Sequence, residues 1–294
     1  MLVTVITPIY NRASFLPDLF RSLCDQTFKD FEWIIVDDGS DDDVSSAVDR
    51  LPAAAFPVIL LSKANGGKHT AVNMGVENAH GRLTLLLDSD DELPPTAIAD
   101  IAEAYRSTNG SADIAGVCGY MAHRDGQVIG HPFVGGDFTE VELRYRLHVG
   151  GDMCEVFRTD ILRRYPFPEV KGERFCPECL VWNRIARKYR LRVFPKVVYL
   201  RDYLDGGLTD NIVRIRMKSP IAAMMTYAEM TTLPIPLLQK AKAAINYWRF
   251  SCCLTEKHKR EAASPIPSIA WYWKWVKPVG WPMHLVDTKK LKQK

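Results

Sequence analysis

Residues 85–91 constrain this chain more than any other segment: Leu85, Leu86 and Leu87 run directly into Asp88, Ser89, Asp90 and Asp91. A short apolar run bounded by turn-forming residues reads as a strand buried on both faces, as in the interior of a parallel sheet. Such a strand releases its polar residues at the carboxyl edge of the sheet, where open α/β proteins bind ligands. Asp-x-Asp placed there offers hard oxygen donors to a divalent ion, and the ion attracts a diphosphate. The same residue types also begin loops and cap helices. The pattern therefore takes its meaning from its surroundings.

Those surroundings alternate strand and helix. Strands are expected over 2–7, 31–36, 56–61 and 83–87, with helices over 14–26, 41–51 and 70–79. Strands joined by helical crossovers predict a mostly parallel, twisted α/β sheet flanked by helices. From about residue 113 the elements shorten. Strands are expected over 114–123, 128–133 and 153–157, the first two joined by a turn at Arg124-Asp125-Gly126. A helix over 179–189, a strand over 191–200 and helices over 211–230 and 236–253 follow. No repeat or low-complexity linker separates the halves, so the expected organisation is one α/β domain over 1–210 with a helical extension over 211–294.

Composition narrows the classes. A net charge of +3 on 294 residues, a quarter of them charged, gives no reason to expect nucleic acid as a partner. The first residues enter a strand without the basic start of a secretory signal, and no stretch approaches the roughly 18 apolar residues that span a bilayer. Seven scattered cysteines, an odd number, suit reduced thiols and a cytoplasmic setting. Cys176 and Cys179 have no second pair at zinc spacing and read as structural. The tail is different: Trp271, Tyr272, Trp273, Trp275 and Trp281 lie among Lys274, Lys277, Lys289, Lys290, Lys292 and Lys294. That mixture fits peripheral contact with the inner face of the plasma membrane. It fits a docked helix equally, since Trp271 and Trp275 are four residues apart.

Two strand ends carry paired acids, Asp37-Asp38 and Asp88-x-Asp90, and the first strand reaches the same edge at residues 7–12. Glycine-rich phosphate loops of the Gly-x-x-x-x-Gly-Lys and Gly-x-Gly-x-x-Gly kinds are absent after these strands. A nucleotide would be held by carboxylates and a metal ion instead. Thr7-Pro8-Ile9-Tyr10-Asn11-Arg12, Gln26-Thr27 before residues 31–40, residues 65–75 and residues 87–93 together resemble, in order and spacing, the family 2 glycosyltransferases. The resemblance is dense over 3–95 and thins towards Thr209.

It implies a GT-A fold, with 1–110 as the nucleotide-binding half and 111–210 as the acceptor-binding half. It also implies inverting transfer from a nucleoside-diphosphate sugar, UDP by family frequency, to a glycan or lipid-linked acceptor in bacterial polysaccharide or glycolipid synthesis. By the same resemblance Pro8, Tyr10 and Arg12 line the nucleotide pocket and Asp38 meets the base or ribose. Asp88 and Ser89 approach the ribose or sugar, and Lys68 the phosphates or sugar. Asp90, with Asp88, holds Mn2+ or Mg2+. A single displacement needs a carboxylate to take the acceptor's proton. Glu178, at a helix start after Pro177, is the candidate, with Asp152 and Glu173 as second choices or acceptor ligands. Asp205 opens a loop over the donor. Two other classes remain open: a nucleotidyltransferase, and a non-catalytic member that binds nucleotide or glycan.

Overall fold

The computed structural model describes residues 1–202, 211–261 and 266–293. Two compact units are present: Met1–Pro166 with Ile185–Asp202, and Phe167–Arg184 with the described part of 203–294. Segment 167–184 thus goes with the C-terminal unit, unlike the single break expected after residue 210.

The first unit is built on an eight-stranded sheet. Its strands are β1 (Val3–Ile9), β2 (Phe31–Asp37), β3 (Val58–Ser62), β4 (Leu83–Leu86), β5 (Ile114–Ala122), β6 (Gly136–Phe138), β7 (Met153–Arg158) and β8 (Arg190–Leu200). They lie in the order β3-β2-β1-β4-β7-β5-β8-β6. β1 to β4 are mutually parallel and β5 is parallel to β8. β7 runs against both β4 and β5, and β6 against β8. Only β6 and β7 therefore oppose the common direction, and the carboxyl ends of β1, β2, β3, β4 and β8 open on one edge. This is the mostly parallel α/β sheet that the sequence predicts.

Near-continuous apolar character explains the centre of this sheet. β1 and β2 pair from Val3 opposite Phe31 to Ile9 opposite Asp37, and nearly every position of both is buried. The Trp33 indole keeps its N–H satisfied by donating to Thr7 Oγ1 at 2.9 Å. Beside it Glu32 is 1% exposed. Its carboxylate accepts from Thr4 Oγ1 at 2.6 Å and from the His80 amide at 2.6 Å. Burial pushes this carboxyl up, but these donors outweigh it and hold it below its ordinary value.

Some expected elements take another form. No strand occupies 128–133. The turn closes, with His123 N–H donating to Gln127 O at 2.8 Å, and a single bridge joins Ala122 and Val128. The chain then leaves the sheet at Gly130, whose φ of +84° and close backbone approach to Gly150 only glycine tolerates. The helix expected over 211–230 is two helices, Ile212–Lys218 and Pro220–Met230. Pro220 excludes helical backbone at Ser219, which adopts φ −125° and ψ 62°. Helices Ala97–Arg106, Glu140–Tyr145 and Thr159–Arg164, and strand β6, were not foreseen.

In the second unit, helices Pro220–Met230 and Leu237–Ser251 pack through Ala223, Met224, Tyr247 and Phe250. Tyr227 stacks on Phe250 with centroids 5.8 Å apart.

Candidate active site

At the edge of β1 and β2 the chain reverses in two interlocked loops. Asn11 takes a left-handed φ of 52°, which Asn adopts more readily than most residues. Its amide donates to Ser40 Oγ at 3.0 Å, and its side-chain oxygen accepts from the Asp41 amide at 2.7 Å. The Ala13 amide donates to Asp42 at 2.7 Å. Gly39, at φ +73°, lets residues 63–65 approach, since a Cβ there would lie 2.7 Å from Asn65 N. This packing sets Arg12 and the end of β2 side by side.

Asp38, 3% exposed, is the brace of this edge. Its oxygens accept from Lys63 Nζ at 2.9 Å, the Gly66 amide at 2.9 Å and the Gly67 amide at 2.7 Å. Gly67, at φ +96°, is the N-cap of helix Lys68–Asn78. Asp38 is thus tied into this edge by three donors and is almost wholly covered.

The Asp88–Asp91 turn follows β4. Lys68 Nζ lies 2.6 Å from Asp88 Oδ1, and Arg12 Nη1 lies 2.8 Å from Asp90 Oδ2. Burial pushes the Asp88 carboxyl up, but Lys68, Arg201 and Arg12 outweigh burial and hold it below the ordinary carboxylate value. Asp91 points inward and accepts from the Tyr199 hydroxyl at 2.7 Å, while that hydroxyl accepts from the Asp88 amide at 3.0 Å. Burial, then the neighbouring charge of Asp88, push Asp91 up to about 7. Ser89 is 4% exposed, so it spaces the two outer carboxylates and presents little of itself to a ligand. Arg124, in the turn after β5, closes over these residues, donating to the Asp90 carbonyl at 3.0 Å and pairing with Glu92 at 3.2 Å.

The structure therefore brings Arg12, Lys68, Asp88 and Asp90 together, with Pro8 half-buried and Tyr10 exposed at the end of β1. Asp152 pairs with Arg201 at 3.1 Å. Glu173, in the second unit, is 5% exposed. Its two oxygens accept the Ile221 and Ala222 amides at 2.7 and 2.9 Å. It caps helix Pro220–Met230, with both oxygens engaged by that helix. Glu178 is exposed in the first turn of helix Glu178–Ala186. Asp205 lies outside the described residues. Sequence reasoning missed Lys63, Tyr199 and Arg201. All three sit at or just beyond the ends of β3 and β8, so the strand-end rule that found Asp38 and Asp88 would have reached them.

A sheet of this order, with Asp38, Asp88 and Asp90 at one edge, has the architecture of the GT-A glycosyltransferases. The chain superposes on S. aureus TarS 1-349 in complex with UDP-GlcNAc with a TM-score of 0.61, at 17% identity, over 99% of this chain and 92% of that one. It superposes on mannosyltransferase PcManGT from Pyrobaculum calidifontis in complex with GDP-Man and Mn2+ with a TM-score of 0.57, at 19% identity, over 96% and 80%. Identities this low speak for the fold alone. Residues 4–165, more than half of the chain, match Glycosyl transferase family 2, and the chain belongs to that family.

Among its curated relatives is an undecaprenyl-phosphate 4-deoxy-4-formamido-L-arabinose transferase of Sodalis glossinidius, 35% identical over 34% of this chain and 32% of the relative. The protein of that name from Pseudomonas aeruginosa is 37% identical over 35% of this chain and 32% of its own length. The match thus spans about a third of these relatives.

Proposed function

We propose that the chain transfers a sugar, with inversion, from a UDP-sugar to a glycan or lipid-linked acceptor in cell-envelope synthesis. One observation carries this reading: Lys68–Asp88 and Arg12–Asp90 converge, as paired cations and carboxylates, at the edge where β1 and β4 end. A diphosphate needs cations, and a metal-bound diphosphate needs carboxylates; this edge supplies both. TarS is seen with UDP and UDP-GlcNAc and PcManGT with GDP-Man, so UDP, the commoner donor nucleotide by family resemblance, is the first to test and GDP the second. The relatives named for undecaprenyl phosphate support a lipid-linked acceptor.

Asp90 and Asp88 suit Mn2+ or Mg2+ by their chemistry, since both present hard oxygen donors from one turn. No group of three or more ligating side chains exists among the described residues. A cation bound there would be held by one or two carboxylates and would complete its shell with substrate phosphates and water. When bound, the ion would neutralise charge on the leaving diphosphate. Arg12 and Lys68 orient the same phosphates, and the side chains at the end of β1 border the nucleotide. Glu178 is the proposed base for a hydroxyl acceptor.

Calorimetric titration with UDP, GDP and dTDP, with and without Mn2+, tests the donor assignment. Binding of UDP that needs Mn2+ and is lost in Asp90→Ala is the expected result. Metal-independent binding would remove Asp90 as a ligand, and failure of all three nucleotides would move a non-catalytic role to the front.

A further inference from the structure

The C-terminal segment divides its aromatic residues between two tasks. In the 3-10 turn Trp271–Val276, positions three apart eclipse one another. Trp273 and Val276 therefore point together, and are 4% and 1% exposed. They close on Ala244, and the Trp273 carbonyl accepts the Trp248 indole N–H at 3.0 Å. Helix Lys277–Gln293 turns Gly280 inward, where an added Cβ would meet Arg249 N at 2.9 Å. One turn pair further on, Asp287 accepts two bonds from Arg249, at 2.5 and 2.8 Å. These contacts fasten the segment to helix Leu237–Ser251, so the residues on its other side are held outward.

Held outward are Trp271 at 78%, Tyr272 at 54%, Trp275 at 69% and Trp281 at 58% exposure. Leu285 and Val286 extend the strip along the helix at 46% and 52%. Monomeric soluble proteins rarely leave contiguous apolar surface of this kind uncovered unless it binds something. The exposed charges of the segment itself have one sign. Lys274, Lys277, Lys289 and Lys290 are exposed, and Asp287, the one acid among residues 266–293, is paired with Arg249.

Amphipathic rings with flanking lysines settle at the headgroup level of an anionic bilayer. A second copy using the same patch would gather the lysines of both copies at one interface, because an isologous interface pairs a surface with itself. No helix among the described residues is long and apolar enough to cross a membrane, so the contact would lie along the membrane surface. We propose that this face docks on an anionic phospholipid bilayer, with the exposed indoles in the headgroup layer and the lysines on lipid phosphates.

Co-sedimentation of the full chain with phosphatidylcholine vesicles, with or without about a third of phosphatidylglycerol, tests this directly. The protein should pellet with the anionic vesicles, and brominated acyl chains should quench its tryptophan emission. The triple variant Trp271→Ala, Trp275→Ala, Trp281→Ala should stay in the supernatant with an unchanged melting temperature. Lys274→Gln and Lys290→Gln should each lower partitioning about fivefold, while leaving the buried contacts of the segment untouched. No pelleting with anionic vesicles, or pelleting unaltered by both sets of variants, would overturn the proposal. So would a concentration-dependent dimer that the triple variant dissolves without lipid, since the face would then belong to a second copy.

Discussion

Lys68 Nζ stands 2.6 Å from Asp88 Oδ1, joining the first residue of a helix to the residue just beyond the strand behind it. A cation in the first turn opposes the helix dipole, so helix stability alone does not account for this lysine. The pair is about a third exposed on both sides, which limits its worth to the fold. Lys68→Met should therefore leave the melting temperature nearly unchanged. Loss of a charged hydrogen bond to the diphosphate costs about 1.5–3 kcal/mol, which weakens UDP binding roughly ten- to hundredfold. Calorimetry on the variant decides the point: unaltered affinity would detach Lys68 from the donor.

Asp38 should behave in the opposite way. It is buried and accepts from Lys63, Gly66 and Gly67. Asp38→Asn puts an amide donor among these donors and leaves the Lys63 charge uncompensated, a loss of about 3–5 kcal/mol. Urea denaturation measures it. In the double variant Asp38→Asn, Lys63→Met the unpaired charge is gone, so its cost should fall short of the sum of the two single costs. Strict additivity would show that the contact carries no energy of its own.

The acidic edge was legible because buried parallel strands announce themselves as apolar runs, and Leu87-Asp88 or Val36-Asp37 marks where each run stops. What the runs could not disclose is which acids are spent internally. Asp38 and Asp88 look alike in sequence, yet one is capped by the amides of a loop nearly thirty residues away and the other meets Lys68 near the surface. Glu173 likewise reads as a free acid until its partners, Ile221 and Ala222, are brought to it by tertiary packing. Tyr199 reaches Asp91 across 108 residues. The helix Glu140–Tyr145, absent from the predicted elements, does carry a sequence signal, since Thr139 and Glu142 form a capping box. Strand β6, three residues long and borrowed from its neighbour β8, was not.

Glu173 gives the fold a pH dependence of defined sign. Burial pushes its carboxyl up from an ordinary 4.5 to about 7, although two amide donors pull the other way. The folded state then holds a proton that the unfolded chain has released. Stability from this group is full below pH 4.5 and is lost as the pH rises to about 7. The loss is on the order of 3 kcal/mol across that window. Replacing Glu173 with Gln removes the titration. The free energy of unfolding of wild type relative to the variant should fall across the same window, and a flat difference would refute the assignment.

Glu178, in the second unit, is the proposed base, and its variant tests that role. Its replacement by Gln keeps size and first-turn position while removing the ability to take a proton. UDP affinity should be unchanged, and kcat towards a hydroxyl acceptor should fall about a hundred- to ten-thousandfold, the usual worth of a positioned base. A phosphate acceptor behaves differently, because its attacking oxygen is already ionised at neutral pH and needs no base. If the acceptor is a polyprenyl phosphate, Glu178→Gln should spare the rate, and no acid limb in the pH–rate profile should trace to this residue. If it is a sugar hydroxyl, the variant should lose both the rate and that limb. A variant that loses UDP affinity instead, with kcat intact, would assign Glu178 to donor binding and leave the base to be found elsewhere.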